Sequence, residues 1–381
     1  MQVLRWKSIL IFAFSLLCLL ARQTPAEAQG WSNGYAYRRV ITIDHTKVPN
    51  TDQTNFPFLF SATYSYLAIT SNGGGVTNAN GYDIIFTSDA SGTSTLAFEQ
   101  EGYNASTGAV NYWVKVPTVS HTVDTVIYLF YGNSSVTTDQ SNKTGVWDSN
   151  YKGVWHLPNG TTLTANDSTG NGNNGTVSGP TATTGQIGGG AGFSGGSNKI
   201  TISTSGSLTA PFTIEEWVQP ASLGYYFGLF GSRSPGDGSF DAKLTGSGVH
   251  ADIGNGSSWL NLGADGSFSY AVNTWHHFVY AVTTSGYTIY ADGSQIGSGT
   301  LSGTALLYDS NHTLLIGATG SSGESFNGSI DEARVSNIAR SADWIATEYN
   351  NQTSPVTFYD VGALPSRACL GPLGISVTRS R

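Results

Sequence analysis

The sequence predicts an all-β protein built as two β-sandwich domains, and composition, strand patterning and length carry that prediction. The chain holds 48 Gly, 19 Tyr and 9 Trp with only 11% charged residues. Aromatic and β-branched residues broken by Gly and Asn describe short strands and tight turns, whereas long helices draw on Ala, Leu, Glu and Lys. Segments such as Val110-Asn111-Tyr112-Trp113-Val114-Lys115-Val116 alternate apolar and other residues with the period of a half-buried strand. Once a leader is set aside, roughly 350 residues remain, enough for two domains of ordinary size.

Residues 1–28 read as a signal peptide. Arg5 and Lys7 form a basic start, residues 9–20 are an unbroken apolar run too short to span a bilayer, and Ala26-Glu27-Ala28 supplies an A-x-A cleavage pattern. Cys18 follows Leu17, where a lipobox needs a small residue, so the expectation is a secreted chain with no lipid anchor and no membrane insertion. Cys18 leaves with the leader and Cys369 stands alone, so no internal disulfide forms and stability rests on packed cores. Loss of Arg5, Lys7, Arg22 and Glu27 takes the formal charge from -8 to about -10. Such a weakly charged, acidic surface excludes nucleic acid and anionic lipid as partners.

An N-terminal domain is expected over residues 30–148. In residues 110–116, Val110, Tyr112, Val114 and Val116 share one face. Residues 123–131 are apolar on both faces and read as a central strand, ended by Gly132-Asn133. Gly73-Gly74-Gly75 and residues 78–81 are loops. A polar joint at residues 146–151 marks the boundary, and a second domain is expected over 149–362. Its hairpins include residues 275–282 and 287–291 about a Thr284-Ser285-Gly286 turn. One helix is expected near the end, with Ser341 as N-cap, Asp343 in its first turn and Ile345 and Tyr349 four apart, packed across the sandwich edge. Residues 363–381 contain Pro365 and Pro372 without periodicity and read as a disordered tail.

Six segments of the second domain, taken in order, carry a resemblance. They are residues 154–157 (VWHL), 167–176 (DSTGNGNNGT), 213–218 (TIEEWV), 274–277 (TWHH), 289–293 (IYADG) and 328–335 (GSIDEARV). Together they resemble bacterial LamG-like jelly rolls of the concanavalin A-like lectin/glucanase class. The first domain resembles a bacterial domain of unknown function that precedes such jelly rolls, through Tyr37-Arg38-Arg39 and residues 83–87, 112–117 and 128–133. Glu216 departs from the jelly-roll pattern, where a small uncharged residue is usual. Strand alternation would put it inward beside Ile214 and Val218, needing a partner or a raised pKa, and a bulge would turn it outward.

The resemblance implies a calcium ion near the 167–175 loop, with Asp331 close by. The loop itself offers Asp167, Asn171 and Asn174 as hard oxygen ligands among glycines that let carbonyls converge. The alternative is an Asx-type turn that binds nothing. Sugar recognition needs flat apolar surfaces beside groups that pair with hydroxyls, and the loops carrying Tyr225, Tyr226, Phe227 and residues 255–259 with Trp259 supply both. These imply non-catalytic binding of a polysaccharide or surface glycan. The competing readings are a surface adhesion or structural module that holds protein without a sugar site, and a polysaccharide hydrolase.

A hydrolase needs two carboxyls converging on one cleft. Neighbours in a regular strand face apart, so Glu215 with Glu216, or Asp331 with Glu332, are excluded as such pairs. Glu99 and Glu101 share a face and read as a solvated strand end. His276 and His277 follow Trp275 without a nucleophile motif. His45, His121, His156, His250 and His312 stand singly, with no H-x-x-x-H or C-x-x-C for zinc and no phosphate-cradling GxxxxGK[ST].

Overall fold

The computed structural model describes residues 31–158, 162–224, 226–234 and 237–364. The expected leader with Cys18, the tail from Pro365 with Cys369, and Tyr225 lie outside the described residues.

The first domain is a sandwich of two antiparallel sheets. Its strands are β1 (Tyr37–Ile43), β2 (Gln53–Thr63), β3 (Ile84–Thr87), β4 (Phe98–Asn104), β5 (Ala109–Val119) and β6 (Thr125–Tyr131), followed by a short helix α1 (Lys143–Val146). One sheet runs β2-β5-β4 and the other contains β1-β6-β3. Val110, Tyr112, Val114 and Val116 of β5 are all buried as their alternation requires. β6 is central between β1 and β3, but Val126 on it is 42% exposed. The expectation of cover on both faces therefore fails at its first turn, where the strand emerges from solvent.

The second domain opens with β7 (Tyr151–Trp155), β8 (Gly175–Ser178), β9 (Thr181–Thr184), β10 (Gly189–Ser194), β11 (Lys199–Ile202), β12 (Leu208–Thr209) and β13 (Phe212–Pro220). It continues with β14 (Phe227–Gly231), β15 (Phe240–Thr245), β16 (Gly248–Gly254), β17 (Trp259–Asn261), β18 (Gly266–Ser267) and β19 (His276–Val282). Then come β20 (Gly286–Ala291), β21 (Ser294–Thr300), β22 (Leu306–Tyr308), β23 (Leu315–Ile316) and β24 (Asn327–Ser336). A back sheet runs β21-β20-β19-β13-β24-β10-β9 with β7 on β24, and a front sheet runs β17-β16-β15-β14-β23-β11-β8 with β18 on β16. Ile214, Val218, Phe278, Ala333, Phe240, Ala242, Leu244, Val249, Ala251 and Ile253 pack between them. This is the two-sheet jelly roll that the patterning predicts.

Two helices, α2 (Ala342–Thr353) and α3 (Pro355–Phe358), and a last strand β25 (Tyr359–Val361) complete the fold. Ser341 caps α2 by accepting from the Trp344 amide. The helix does not lie on a sandwich edge. Trp344 and Ile345 join the first domain's core, Tyr349 stacks on Trp217 of the central strand β13, and Asn351 bonds both backbone groups of Leu59 on β2. β25 pairs with β1, so residues expected to close the second domain instead extend the first domain's sheet. The same core takes in Val154, Val279, Ala281 and Tyr290 from the outer face of the back sheet. The first domain thus covers the outer face of the back sheet, whereas among the described residues the front sheet's outer face is overlaid by the jelly roll's own side chains, which bury Asp241 and Lys243 on it.

Candidate functional site

Alternation decides which side chains that outer face carries. On β15, Phe240, Ala242 and Leu244 point inward, so Asp241 and Lys243 point outward. On β16, Val249, Ala251 and Ile253 point inward, so His250 and Asp252 point outward. The register sets Asp241 directly opposite Asp252, a like-charge pair that repels unless bridged. Lys243 bridges it, with Nζ 2.8 Å from Asp241, 3.1 Å from Asp252 and 3.6 Å from Glu324. The ammonium thus lies within hydrogen-bond distance of Asp241 and Asp252 and within ion-pair distance of Glu324. Arg233 adds a contact to Asp241 at 3.4 Å, and His250 joins Asp252 at 3.2 Å and Asp265 at 2.6 Å.

Burial pushes the Asp241 carboxyl up from its usual range. Burial acts the same way on Asp252, but the His250 hydrogen bond and the Lys243 charge outweigh it and hold that group down at about 2. The hydrogen bond to Asp252 raises His250 in spite of its partial burial. For Lys243 burial works downward, and the bond and charge of Asp241 overcome it, so the ammonium is kept charged.

Aromatic rings flank this ionic strip. Tyr226, 45% exposed and with φ +66, lies with its ring 5.3 Å from Lys243 Nζ and edge-on to His250. At the other end the half-buried Trp259 lies under the Arg233 guanidinium at 5.3 Å. Gly238 is required there, because a Cβ would come within 2.9 Å of the Trp259 ring and 2.8 Å of its backbone. The structure therefore brings the expected Tyr226 and Trp259 to one face, with Asp265 (66% exposed side chain) and Arg233 (34%) as polar groups beside them. The ionic floor was not singled out from sequence, although the alternation in residues 240–245 (FDAKLT) and 248–254 (GVHADIG) signals an apolar and a charged face.

The 167–175 loop is organised differently from a cation site. Asp167 is buried, and its two oxygens accept from Val154 N, Thr169 N, Thr169 Oγ1 and Asn173 N at 2.8–3.1 Å. A carboxylate has about four acceptor positions, and all are taken. Asn174 Oδ1 accepts from Asp167 N, and Asn171 donates to Tyr151 O and Thr169 Oγ1. Asp331 lies on the outer face of the back sheet and accepts from Ile187 N and Glu332 N. This arrangement does not fit a calcium ion, because the oxygens of Asp167 and Asn174 are taken by donors of the protein itself and Asp331 is bonded to Ile187 N and Glu332 N on the back sheet. The arrangement is the Asx-type turn.

The acids near the domain seam also depart from expectation. Glu99 and Glu101 are not solvated: their side chains are 9% and 3% exposed. In β4 a bulge leaves Glu101 unpaired between Gln100 and Gly102, and its carboxylate accepts from Trp113 Nε1. Glu99 accepts from Trp147 Nε1 and Ser168 Oγ. On β24, Trp217 pairs with Asp331 and Glu215 with Arg334, leaving Glu332 and Ala333 opposite Glu216. The bulge, with Glu332 at φ +49, breaks the alternation and puts Asp331, Glu332 and Arg334 on one face. Glu332 contacts His156 at 2.7 Å and Arg334 at 2.8 Å. Burial pushes Glu101 up to about 8, reinforced by the Glu332 charge. His277 is pushed down to about 3 by burial and by Arg334, so it sits neutral in the seam.

Glu216 takes the inward alternative. It is buried beneath the back sheet beside Ile214, Val218 and Phe278, with neither oxygen hydrogen-bonded, and burial raises its pKa well above the carboxyl range.

Residues 194–346 match the family model of the concanavalin A-like lectin/glucanases superfamily, and residues 80–151 match that of a domain of unknown function, DUF2341. A comparison with curated proteins gives no match. Domain 4 of an extracellular arabinanase from Geobacillus stearothermophilus, solved with arabinotriose, is 20% identical at a TM-score of 0.43, over 52% of this chain and 98% of that one. The binding domain of Paraclostridial Mosquitocidal Protein 1 is 17% identical at 0.43, over 53% and 52%. A sialidase of Trypanosoma rangeli is 12% identical at 0.40, over 62% and 42%. The chain thus spans about half or less of the length of the last two.

Proposed function

We propose that this chain, a domain of unknown function joined to a concanavalin A-like domain, is a non-catalytic carbohydrate-binding protein whose site is the outer face of the front sheet. One observation carries the reading: on the jelly-roll face away from the first domain, a buried ionic strip fixes Tyr226 at one end and Trp259 at the other, with Arg233 and Asp265 reaching solvent beside them. Aromatic rings pair with the C–H faces of sugars, and the solvent-facing Arg233 and Asp265 donate to and accept from hydroxyls. The ligand is an oligosaccharide long enough to touch both rings. Glycoside hydrolysis needs an acid and a second carboxylate that both reach the substrate. Asp241 is sealed under Lys243 and Arg233 with no exposed side-chain surface, so it shapes the floor and does not react. The leader expected over residues 1–28 supports a role outside the cytoplasm.

A glycan array probed with the full chain, followed by tryptophan fluorescence titration of the best oligosaccharide, tests this. Binding weakened about tenfold or more by Trp259→Ala and by Tyr226→Ala supports it. Absence of any glycan signal favours an adhesion or structural module. Release of reducing ends from the bound polysaccharide would restore the hydrolase reading.

A further inference from the structure

We propose that Glu101, His156 and Glu332 form a binding site for one divalent transition ion of the zinc type, seated in the seam between the two domains. The three side chains come from β4 of the first domain, the segment after β7, and β24 of the second. One ligand atom from each lies within 4.8 Å of the others. His156 Nδ1 is 2.7 Å from Glu332 Oε1 and 3.9 Å from Glu101 Oε2, and a tetrahedral ion at about 2.0–2.2 Å from each ligand needs the first pair to part and the second to close by only a few tenths of an ångström to about an ångström.

Independent features of the fold converge on this point. Both carboxylates stand on β-bulges, devices that re-aim a side chain out of the strand pattern, and Glu332 holds a left-handed backbone conformation to do so. Each ligand has a partner that orients it: Trp113 Nε1 donates to Glu101, Arg334 donates to the other oxygen of Glu332, and Glu99 faces His156 Nε2 at 3.2 Å. Carboxyls crowd this point: Glu99, Glu101 and Glu332 all face His156, and an ion of charge two placed among them offsets their mutual repulsion.

Entry is provided by a cleft of about 450 Å³ between the domains, lined by Ser61, Tyr103, Asn111 and Gly188 and bounded by Glu101. Gly188 holds a left-handed backbone at φ +59, and a Cβ there would come within 2.5 Å of Glu101 Oε1. One imidazole nitrogen with two carboxylate oxygens suits zinc or cobalt and is too few oxygens for calcium. On binding, the ion displaces the proton on His156 Nδ1 and the one held by the Glu101 carboxyl, and both pass to solvent.

The test uses the full chain, stripped with a chelator and titrated with Co²⁺ and then Zn²⁺. The expected result is one ion per chain, visible cobalt absorption and a raised melting temperature. These are lost in Glu101→Gln and His156→Gln and kept in Asp124→Asn, which alters the exposed Asp44, His45 and Asp124 group. An apo protein that takes up no ion overturns the proposal, as does binding that survives both seam substitutions or disappears in Asp124→Asn. If the seam variants do not fold, zinc-edge X-ray absorption on the Asp124→Asn protein decides. One imidazole nitrogen with carboxylate oxygens supports the site, and a protein without zinc refutes it.

Discussion

Replacing Glu216 by Met should stabilise the protein, and by more as pH rises. Glu216 sits between Ile214 and Val218 and opposite Phe278, with both carboxyl oxygens unpartnered. A buried polar group left unsatisfied costs about 1–3 kcal/mol, and two bare oxygens put this site near the upper figure, about 3 kcal/mol. Met fills a similar unbranched volume without polar atoms. The gain corresponds to about 6–12 °C in melting temperature for a domain of this size. Burial raises the folded-state pKa well above the unfolded one. The folded chain therefore holds a proton that the unfolded chain releases once pH passes the ordinary carboxyl range, and stability falls as pH rises through that window. The advantage of the variant should widen by about 1.4 kcal/mol per pH unit until the raised value is reached. Urea unfolding of wild type, Glu216→Met and Glu216→Gln between about pH 5 and 8 reads this directly. A Met variant less stable than wild type, or a difference that does not change with pH, would refute the reasoning.

Other substitutions test other parts of the fold. Asp167→Ala strands Val154 N, Thr169 N and Asn173 N and should cost about 3 kcal/mol or more. Added calcium should shift the melting temperature of neither Asp167→Ala nor the parent, and a calcium-dependent rise confined to the parent would show the loop to be a cation site. Lys243→Met leaves Asp241 and Asp252 facing each other unbridged, for a loss of about 3–5 kcal/mol by chemical unfolding; a neutral result would mean the strip carries no strain when unbridged. Asn351→Ala removes the only side chain reaching both backbone groups of Leu59 among the described residues, and should cost about 1–3 kcal/mol with the loss felt first as faster hydrogen exchange in β2.

Much of the fold was legible because period-two alternation and Gly/Asn turns are local signals. The strand containing Val110, Tyr112 and Val114, the hairpins of the second domain and the Ser341 cap all follow from neighbours in sequence. Contacts made only by the tertiary fold were not legible. Nothing local tells that β25 will pair with β1, more than 300 residues away in sequence, or that α2 will satisfy the edge of β2. The seam shows the same limit. Regular alternation separates Asp331 from Glu332 and exposes Glu101, and a single inserted residue on each strand reverses both conclusions. Tyr226 and Trp259 stand out in the sequence because aromatics between strand patterns are less readily explained as core, whereas Lys243 and Asp241 look like ordinary polar positions until their cross-strand register is known.

Calorimetric titration of the array-selected oligosaccharide into the wild type and into the Tyr226→Ala/Trp259→Ala double variant bears most directly on the outer face of the front sheet. Saturable binding to the first, with at least a tenfold loss in the second at unchanged melting temperature, is the expected result. Equal affinity in both proteins would move the site elsewhere and contradict the account.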